Sequence, residues 1–243
     1  MLIETSRHRL EDLAAWRRLE KEDEAWASTG AFRDRCFAAI DVIRAAARMG
    51  GCYVSTSWGK DSVVVSHLAW TLGEEDGIWL PMAWVRTEPV VNPYCHLVRD
   101  AFFERWLVPV YHEETVVLSA GEDHDVQWDA ALAAIGRRYG DRWIGGMRAS
   151  ESCQRVRRME LGLSLARSVQ PIGHWAARDV FAYLSAFDLP VHPAYAFSFG
   201  GSLDRDNLRV AALLGGDGMV LEERGTERGR SEWEAVYYGE NKS

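Results

Sequence analysis

Apolar positions recur every three to four residues over two opening stretches of the chain. In residues 7–27 they are Leu10, Leu13, Ala14, Trp16 and Leu19, set among charges; in 31–49 they are Phe32, Cys36, Ala39, Ile40 and Ile43. This spacing predicts two amphipathic helices. Ser28-Thr29-Gly30 separates them and Gly50-Gly51 ends the second. The period then changes. Cys52-Tyr53-Val54 reads as a short apolar strand, residues 55–60 as a polar turn and 61–72 as a helix rich in Val, Leu and Ala. Further strands are predicted at 82–85, 108–111 and 143–147, alternating with helices at 93–106 and 126–138. A last amphipathic helix spans 177–187, ahead of Leu189-Pro190. Beyond Tyr195 the chain becomes glycine-rich and polar, which predicts a loop-rich C-terminal lobe.

Strands alternating with helices predict right-handed βαβ units. The expected fold class is therefore α/β: a mostly parallel twisted sheet with helices on both faces, Rossmann-like, preceded by N-terminal helices. Ligands of such sheets bind beyond the carboxyl ends of the strands. Residues 55–62, 86–92 and 148–158 are thus where chemistry is expected.

Composition narrows the class. The chain has 243 residues, 47% hydrophobic and 26% charged, which suits a globular protein that needs no disulfide or metal staple. No run approaches the roughly 20 apolar residues of a membrane span. Residues 1–24 carry dense charge of both signs, unlike a secretory signal, so a cytoplasmic location and no membrane partner are expected. With 28 basic and 36 acidic residues the net charge is −8. That disfavours a wide nucleic-acid grip unless positive charge is concentrated locally. Such concentrations exist only along Arg137 to Arg178 and in the tail from Arg224 to Arg230.

Cys36, Cys52, Cys95 and Cys153 are widely spread, with no CxxC or Cys/His knuckle, so no local Fe-S or Zn motif exists. Free, mostly buried thiols are the plain interpretation; four thiols meeting in space is the alternative. Lysine occurs only at positions 21, 60 and 242. In a chain that otherwise chooses arginine, Lys60 in a tight turn marks a place for a compact point charge.

That turn, Ser55-Thr56-Ser57-Trp58-Gly59-Lys60-Asp61-Ser62, leads directly from strand to helix. Turn amides and the positive end of the following helix together make an anion cradle. Gly59 allows close backbone approach, Ser57 and Ser62 add hydroxyls, and Lys60 adds charge. Asp61 beside phosphates is tolerable if it caps the helix or holds Mg2+. An ordinary capped strand–turn–helix junction is the competing interpretation. Neither the GxxxxGK[ST] spacing nor a GxGxxG turn is present.

Residues 57–62 resemble the SGGKDS signature of the PP-loop ATP pyrophosphatases, with Trp58 in place of the first glycine. Trp58 would narrow the loop or offer a stacking surface. Residues 143–152, Trp-Ile-Gly-Gly-Met-Arg-Ala-Ser-Glu-Ser, are similar to the GxRxxES segment of the branch that resembles PAPS (3′-phosphoadenylylsulfate) reductase. Pro171-Ile172-Gly173-His174-Trp175, with Asp179 to Leu184, resembles its PIxxW…DVxxYL helix. Residues 189–195 resemble its LPxHPxY turn. The four motifs cover about residues 52–200.

The resemblance implies an adenine nucleotide alpha hydrolase-like fold in three parts: an N-terminal helical segment over 1–50, the nucleotide-binding domain over 51–198 and an extension over 199–243. It also implies ATP and Mg2+ as cofactors and cleavage of ATP to AMP and pyrophosphate while a substrate oxygen is adenylylated. Lys60, Asp61, Arg148 and Glu151 are then the candidate catalytic residues, with Asp61 as metal ligand. Ser55, Ser57, Trp58, Gly59, Ser62 and Thr87 are candidates for holding ATP and pyrophosphate. Arg86 occupies a position that is often acidic in the family. Arg155, Arg157, Arg158, His192 and Tyr195 are candidates for the acceptor pocket; an exposed basic helix face and a structural histidine are the alternatives. Cys153, near several arginines, is a candidate sulfur carrier.

Family reductases carry a catalytic cysteine in a C-terminal Glu-Cys-Gly-His-like tail, whereas the last cysteine here is Cys153. The expectation is therefore an adenylylating enzyme of sulfur metabolism. Its acceptor would be sulfate, as in the small subunit of ATP sulfurylase, or a nucleic-acid oxygen, as in DNA phosphorothioation. The latter needs a sulfur donor such as a cysteine desulfurase, and contact with DNA through the arginine patches. A nucleotide-binding module without turnover is the reading from a different class. The family habit is a homodimer.

Overall fold

The computed structural model describes residues 1–6, 8–88, 91–117, 124–196 and Arg205. The chain opens with helices α1 (Leu10–Ala27) and α2 (Gly30–Arg48). There follow β1 (Cys52–Ser55), α3 (Lys60–Asp76), β2 (Met82–Glu88), α4 (Pro93–Arg105), β3 (Tyr111–Val117) and α5 (His124–Tyr139). β4 (Arg142–Ile144), α6 (Cys153–Glu160), β5 (Ser168–Val169) and α7 (Ala177–Ala186) complete the regular elements, with 3₁₀ turns at Ala149–Glu151 and Pro193–Ala196. Among the described residues no helix is long and apolar enough to cross a membrane.

The five strands form one sheet in the order β3-β2-β1-β4-β5, and every pairing is parallel. The fold is α/β and Rossmann-like, as the alternating pattern implied. Successive β1 residues point to opposite faces. Cys52 and Val54 face the large core, which also holds Ile43, Leu68, Phe102 and Phe181. Tyr53 faces a small second core with Ala83 and Ile135, beneath α5. From β1 the chain builds outward through β2 to β3, then crosses to the other side of β1 to lay down β4. The order therefore reverses between β1 and β4, and that crevice is where a doubly wound sheet binds ligands.

Some boundaries differ from the pattern, for physical reasons. The third strand begins at Tyr111, not at Val108, because Pro109 has no amide to give; pairing starts where Met82 N–H donates to Val110 O at 3.0 Å. β3 is also a sheet edge, so Glu113 and Glu114 sit half-buried where a central strand would be apolar. β4 stops at Ile144, because Gly145 and Gly146 form the floor of a cleft. In α1 the expected stripe holds at Trp16, which is buried, but Leu10 is 88% exposed and Ala14 is exposed while Ala15 is buried. The expected extension over 199–243 lies outside the described residues except at Arg205, which makes two bonds to Asp23 of 2.7 and 2.6 Å.

Candidate functional site

A cleft of about 380 Å³ opens at the carboxyl ends of β1, β2 and β4. Its lining draws on the three segments where chemistry was expected: Ser55 to Ser62 from the end of β1, Arg86, Thr87, Val91 and Asn92 from the end of β2 onward, and Glu151 and Arg155 after β4, with Gly145, Gly146 and Met147 just ahead of the third segment. Tyr195 closes it from the 3₁₀ turn that follows α7.

The loop after β1 turns its amides inward onto hydroxyls. Ser57 N–H donates to Ser62 Oγ at 3.2 Å, Trp58 N–H to Thr56 Oγ1 at 3.4 Å, and Lys60 N–H to Tyr195 OH at 3.4 Å. Ser62 Oγ in turn donates to Gly59 O at 3.0 Å. All three amide bonds are long for their type. The cap residue of α3 is Gly59, which brings no side chain of its own. Tyr195 therefore serves the first amide of the helix from another part of the chain.

Charge alternates across the crevice. Lys60, 2% exposed, lies with Nζ 3.2 Å from Asp61 Oδ2 and 5.0 Å from the centre of the Tyr195 ring. Burial pulls the ammonium pKa down, but Asp61 first, then Tyr195 and Glu151, outweigh it and the net direction is upward. Lys60 is held charged. Asp61 Oδ1 accepts from Arg148 Nε at 2.7 Å, although 87 residues separate them. Arg148, 1% exposed, also donates through Nη1 to Ser150 Oγ at 3.0 Å, and its backbone N–H donates to Glu151 Oε2 at 3.0 Å. Glu151 then accepts from Arg155. The line Lys60–Asp61–Arg148–Glu151–Arg155 carries one positive charge in excess. Gly146 makes the close approach possible: a Cβ there would sit 2.8 Å from the Asp61 backbone.

The remaining candidates divide. Ser55, Ser57, Gly59, Ser62 and Thr87 line the cleft with Lys60, Asp61, Glu151, Arg155 and Tyr195. Trp58 does not: its indole is fully buried between Phe102, Phe103 and Tyr111, so it is no stacking surface for a ligand. Arg158 is occupied by Gly162 O, Ser168 O and Ser168 Oγ at 2.8, 3.2 and 2.6 Å, and Arg157 is exposed on α6 outside the cleft. His192 is buried and bonds to Ala194 N–H; burial lowers its pKa to about 3, so it stays neutral. Cys153 is exposed at the start of α6 and does not line the cleft.

Asp61, the expected metal ligand, has both oxygens facing cations, Lys60 and Arg148. Among the described residues no three His, Cys, Asp or Glu side chains gather to hold a metal ion.

The chain matches no protein-family model. It is 27% identical over 175 residues to the phosphoadenosine 5′-phosphosulfate reductase of Synechococcus sp., covering 65% of this chain and 75% of that one. A 69-residue stretch is 38% identical to the adenosine 5′-phosphosulfate reductase of Burkholderia cepacia, covering 27% of this chain and 26% of that one. The FMN adenylyltransferase of Candida glabrata, solved with FMN and an ATP analogue, shares the fold at a TM-score of 0.53 and 14% identity. That match covers 86% of this chain and 81% of that one. The matched relatives are, by name, reductases of adenylyl sulfates, and the adenylyltransferase shares the fold.

The cleft has an apolar lining that the motifs did not disclose. Trp128, Leu132 and Trp143 supply it from the α5 face of the sheet, Trp84 from the opposite face and Met147 from beyond β4. They come from β2, α5, β4 and the segment after β4, so only the fold unites them. Alternation along β2 and β4 sets Trp84 and Trp143 on opposite faces of the sheet, so that pattern does not signal that both reach one cleft. Cys95 also lines the cleft, and burial pushes its thiol up to about 12.

Proposed function

We propose that the cleft binds ATP and that the chain transfers its adenylyl group to an acceptor oxygen in sulfur metabolism, releasing pyrophosphate. The observation that carries this is the loop after β1, with three inward amides on long hydroxyl bonds beside a buried, charged Lys60. Phosphate oxygens are stronger acceptors than hydroxyls and would replace them. The apolar wall suits the nucleoside, and the relatives act, by their names, on adenylyl sulfates.

In the proposed reaction the acceptor oxygen bonds to the α-phosphorus while the bond to the bridging oxygen breaks. Negative charge grows on the departing pyrophosphate. Lys60 and the α3 amides lie where that charge would develop, already desolvated and fixed, which is the arrangement that stabilises a transition state. Arg148 holds Asp61, and so holds Lys60, in place.

A thiol route through the cleft is disfavoured, because Cys95 stays protonated at neutral pH. Sulfate and nucleic acid are the two candidate sources of the acceptor oxygen. For the second, Arg137, Arg138, Arg157, Arg167 and Arg178 are exposed, whereas Arg142 and Arg158 donate to backbone carbonyls. The patch over 224–230 lies outside the described residues. A DNA phosphorothioation role would require a sulfur donor such as a cysteine desulfurase.

The test is α-labelled ATP with magnesium, alone and then with sulfate or with DNA plus a persulfide donor. AMP and pyrophosphate, faster with one acceptor, support the proposal and identify that acceptor. Tight binding with no turnover under any condition would favour a nucleotide-binding module instead.

A further inference from the structure

The loop after β1 turns through a residue whose backbone conformation suits glycine. Trp58 has φ of 61°, in the left-handed region that bulky side chains rarely adopt. Such a conformation persists only where the surroundings determine it, and here they do. The indole lies 5.6, 5.3 and 5.9 Å, centre to centre, from the rings of Phe102, Phe103 and Tyr111. Its Nε1–H donates to Tyr111 OH at 3.3 Å, and Tyr111 OH donates to Glu113 Oε1 at 2.7 Å. Glu113 accepts from Arg99 Nη1 at 2.6 Å and lies 3.3 Å from Nε of Arg86, which lines the cleft. Burial first, then the bond to Glu113, raise the Tyr111 pKa, so the phenol keeps the proton this chain of bonds needs.

We propose that Trp58 is a positioning residue for anion binding: turned out of the cleft and fastened through Tyr111 to Glu113, it holds the loop amides in their inward curve. The proposal rests on residues 55–62 being a phosphate cradle. A glycine at position 58 would reach the same φ but also many others, and the loop would lose that freedom on binding. Trp58 removes the freedom during folding, so less affinity is spent on ordering. Its role is indirect, since its side chain touches no ligand in the cleft.

Calorimetric titration with inorganic pyrophosphate, alongside thermal melting, tests this in wild type, Trp58→Phe, Tyr111→Phe and the double variant. Each single change removes the indole–phenol bond while leaving an aromatic ring in place; Tyr111→Phe also removes the bond to Glu113, which Trp58→Phe keeps. Each is expected to weaken pyrophosphate about tenfold, the scale of one neutral hydrogen bond. The double variant should bind no worse than about the weaker single, because both changes break the same bond. The KM for ATP should rise by a similar factor, with kcat changed less. Melting points should fall by no more than about 4 °C. Should Trp58→Phe not fold, Tyr111→Phe decides alone. Wild-type pyrophosphate affinity in Tyr111→Phe, whatever its melting point, overturns the positioning role while leaving the cradle intact. Failure of the wild type to bind pyrophosphate removes the cradle itself, and the positioning role with it.

Discussion

Arg148 reaches across the crevice between β1 and β4 and donates Nε–H to Asp61 Oδ1 at 2.7 Å. One bond thus ties the first turn of α3 to the segment that follows β4, and both segments line the same cleft. Removing one partner of a buried ion pair strands the other charge. Arg148→Ala is therefore expected to destabilise the fold by about 3 kcal/mol and to lower turnover sharply. Arg148→Lys should rescue stability only partly, since a lysine cannot serve Asp61 and Ser150 from one planar fork. Urea unfolding of the three proteins checks this; equal midpoints would contradict it.

Tyr195 supplies the hydroxyl that the cap residue Gly59 lacks. Tyr195→Phe removes that acceptor and keeps the ring under the Lys60 ammonium. Phosphate would displace that hydroxyl from Lys60 N–H, so ATP should bind as well as to wild type or up to about tenfold more tightly, the scale of one modest hydrogen bond. The stability change should be small, and the KM against kcat split would show it.

Gly146 lies where a Cβ would meet the Asp61 backbone at 2.8 Å. Gly146→Ala must push α3 away from β4, at a cost of about 1–3 kcal/mol. Loss of activity should exceed loss of stability, because the displaced turn carries Lys60. A melting curve and a turnover assay on the same sample decide it; an alanine variant with full activity would contradict the packing described.

His67 and His192 are buried, and burial, helped at His67 by Arg105, lowers both pKa values to about 3. In the unfolded chain each titrates near 6.5. Between those values the unfolded state binds more protons, so stability falls as the pH drops from about 6.5 toward 3. Above that window neither histidine contributes a slope. Inside it each contributes up to about 1.4 kcal/mol per pH unit. Unfolding free energy measured at pH 7, 6 and 5 should decline steeply, and less so in His192→Gln. Identical slopes in the two proteins would contradict the neutral, buried assignment.

The thiols should respond unequally to alkylation. Burial raises Cys95 and Cys36 to about 12, and for Cys36 the nearby Asp179 adds to it. Cys153 is exposed. Mass spectrometry after brief iodoacetamide treatment at pH 8 should find label on Cys153 well before the others. Equal labelling of Cys95 would show an open cleft wall and an available thiolate.

Much of this was legible along the chain. The change of period at Gly50-Gly51 marked β1, and the polar turn before a Val-rich helix marked a loop that lines the cleft, because both signals are local. What escaped notice depends on long-range placement. β5 is two residues long and α6 buries one side chain, Met159, so neither leaves a usable period. Which way Trp58 points is set by α4 and β3, which lie at least 35 residues away; hence a stacking surface was expected where an anchor is found. The bond that Asp61 accepts from Arg148, 87 residues downstream, leaves no local sign in the sequence. The aromatic wall on Trp128 and Trp143 exists only once α5 and β4 have packed.

The central claim is that the turn after β1 carries the outer phosphates of ATP while the bond beside the α-phosphate breaks. Product analysis with α- and γ-labelled ATP, comparing wild type with Lys60→Ala, tests it most directly. AMP and pyrophosphate from the wild type are predicted, with a loss of about a hundredfold or more in the variant. Release of ADP and phosphate, or pyrophosphate formation untouched by Lys60→Ala, would contradict it.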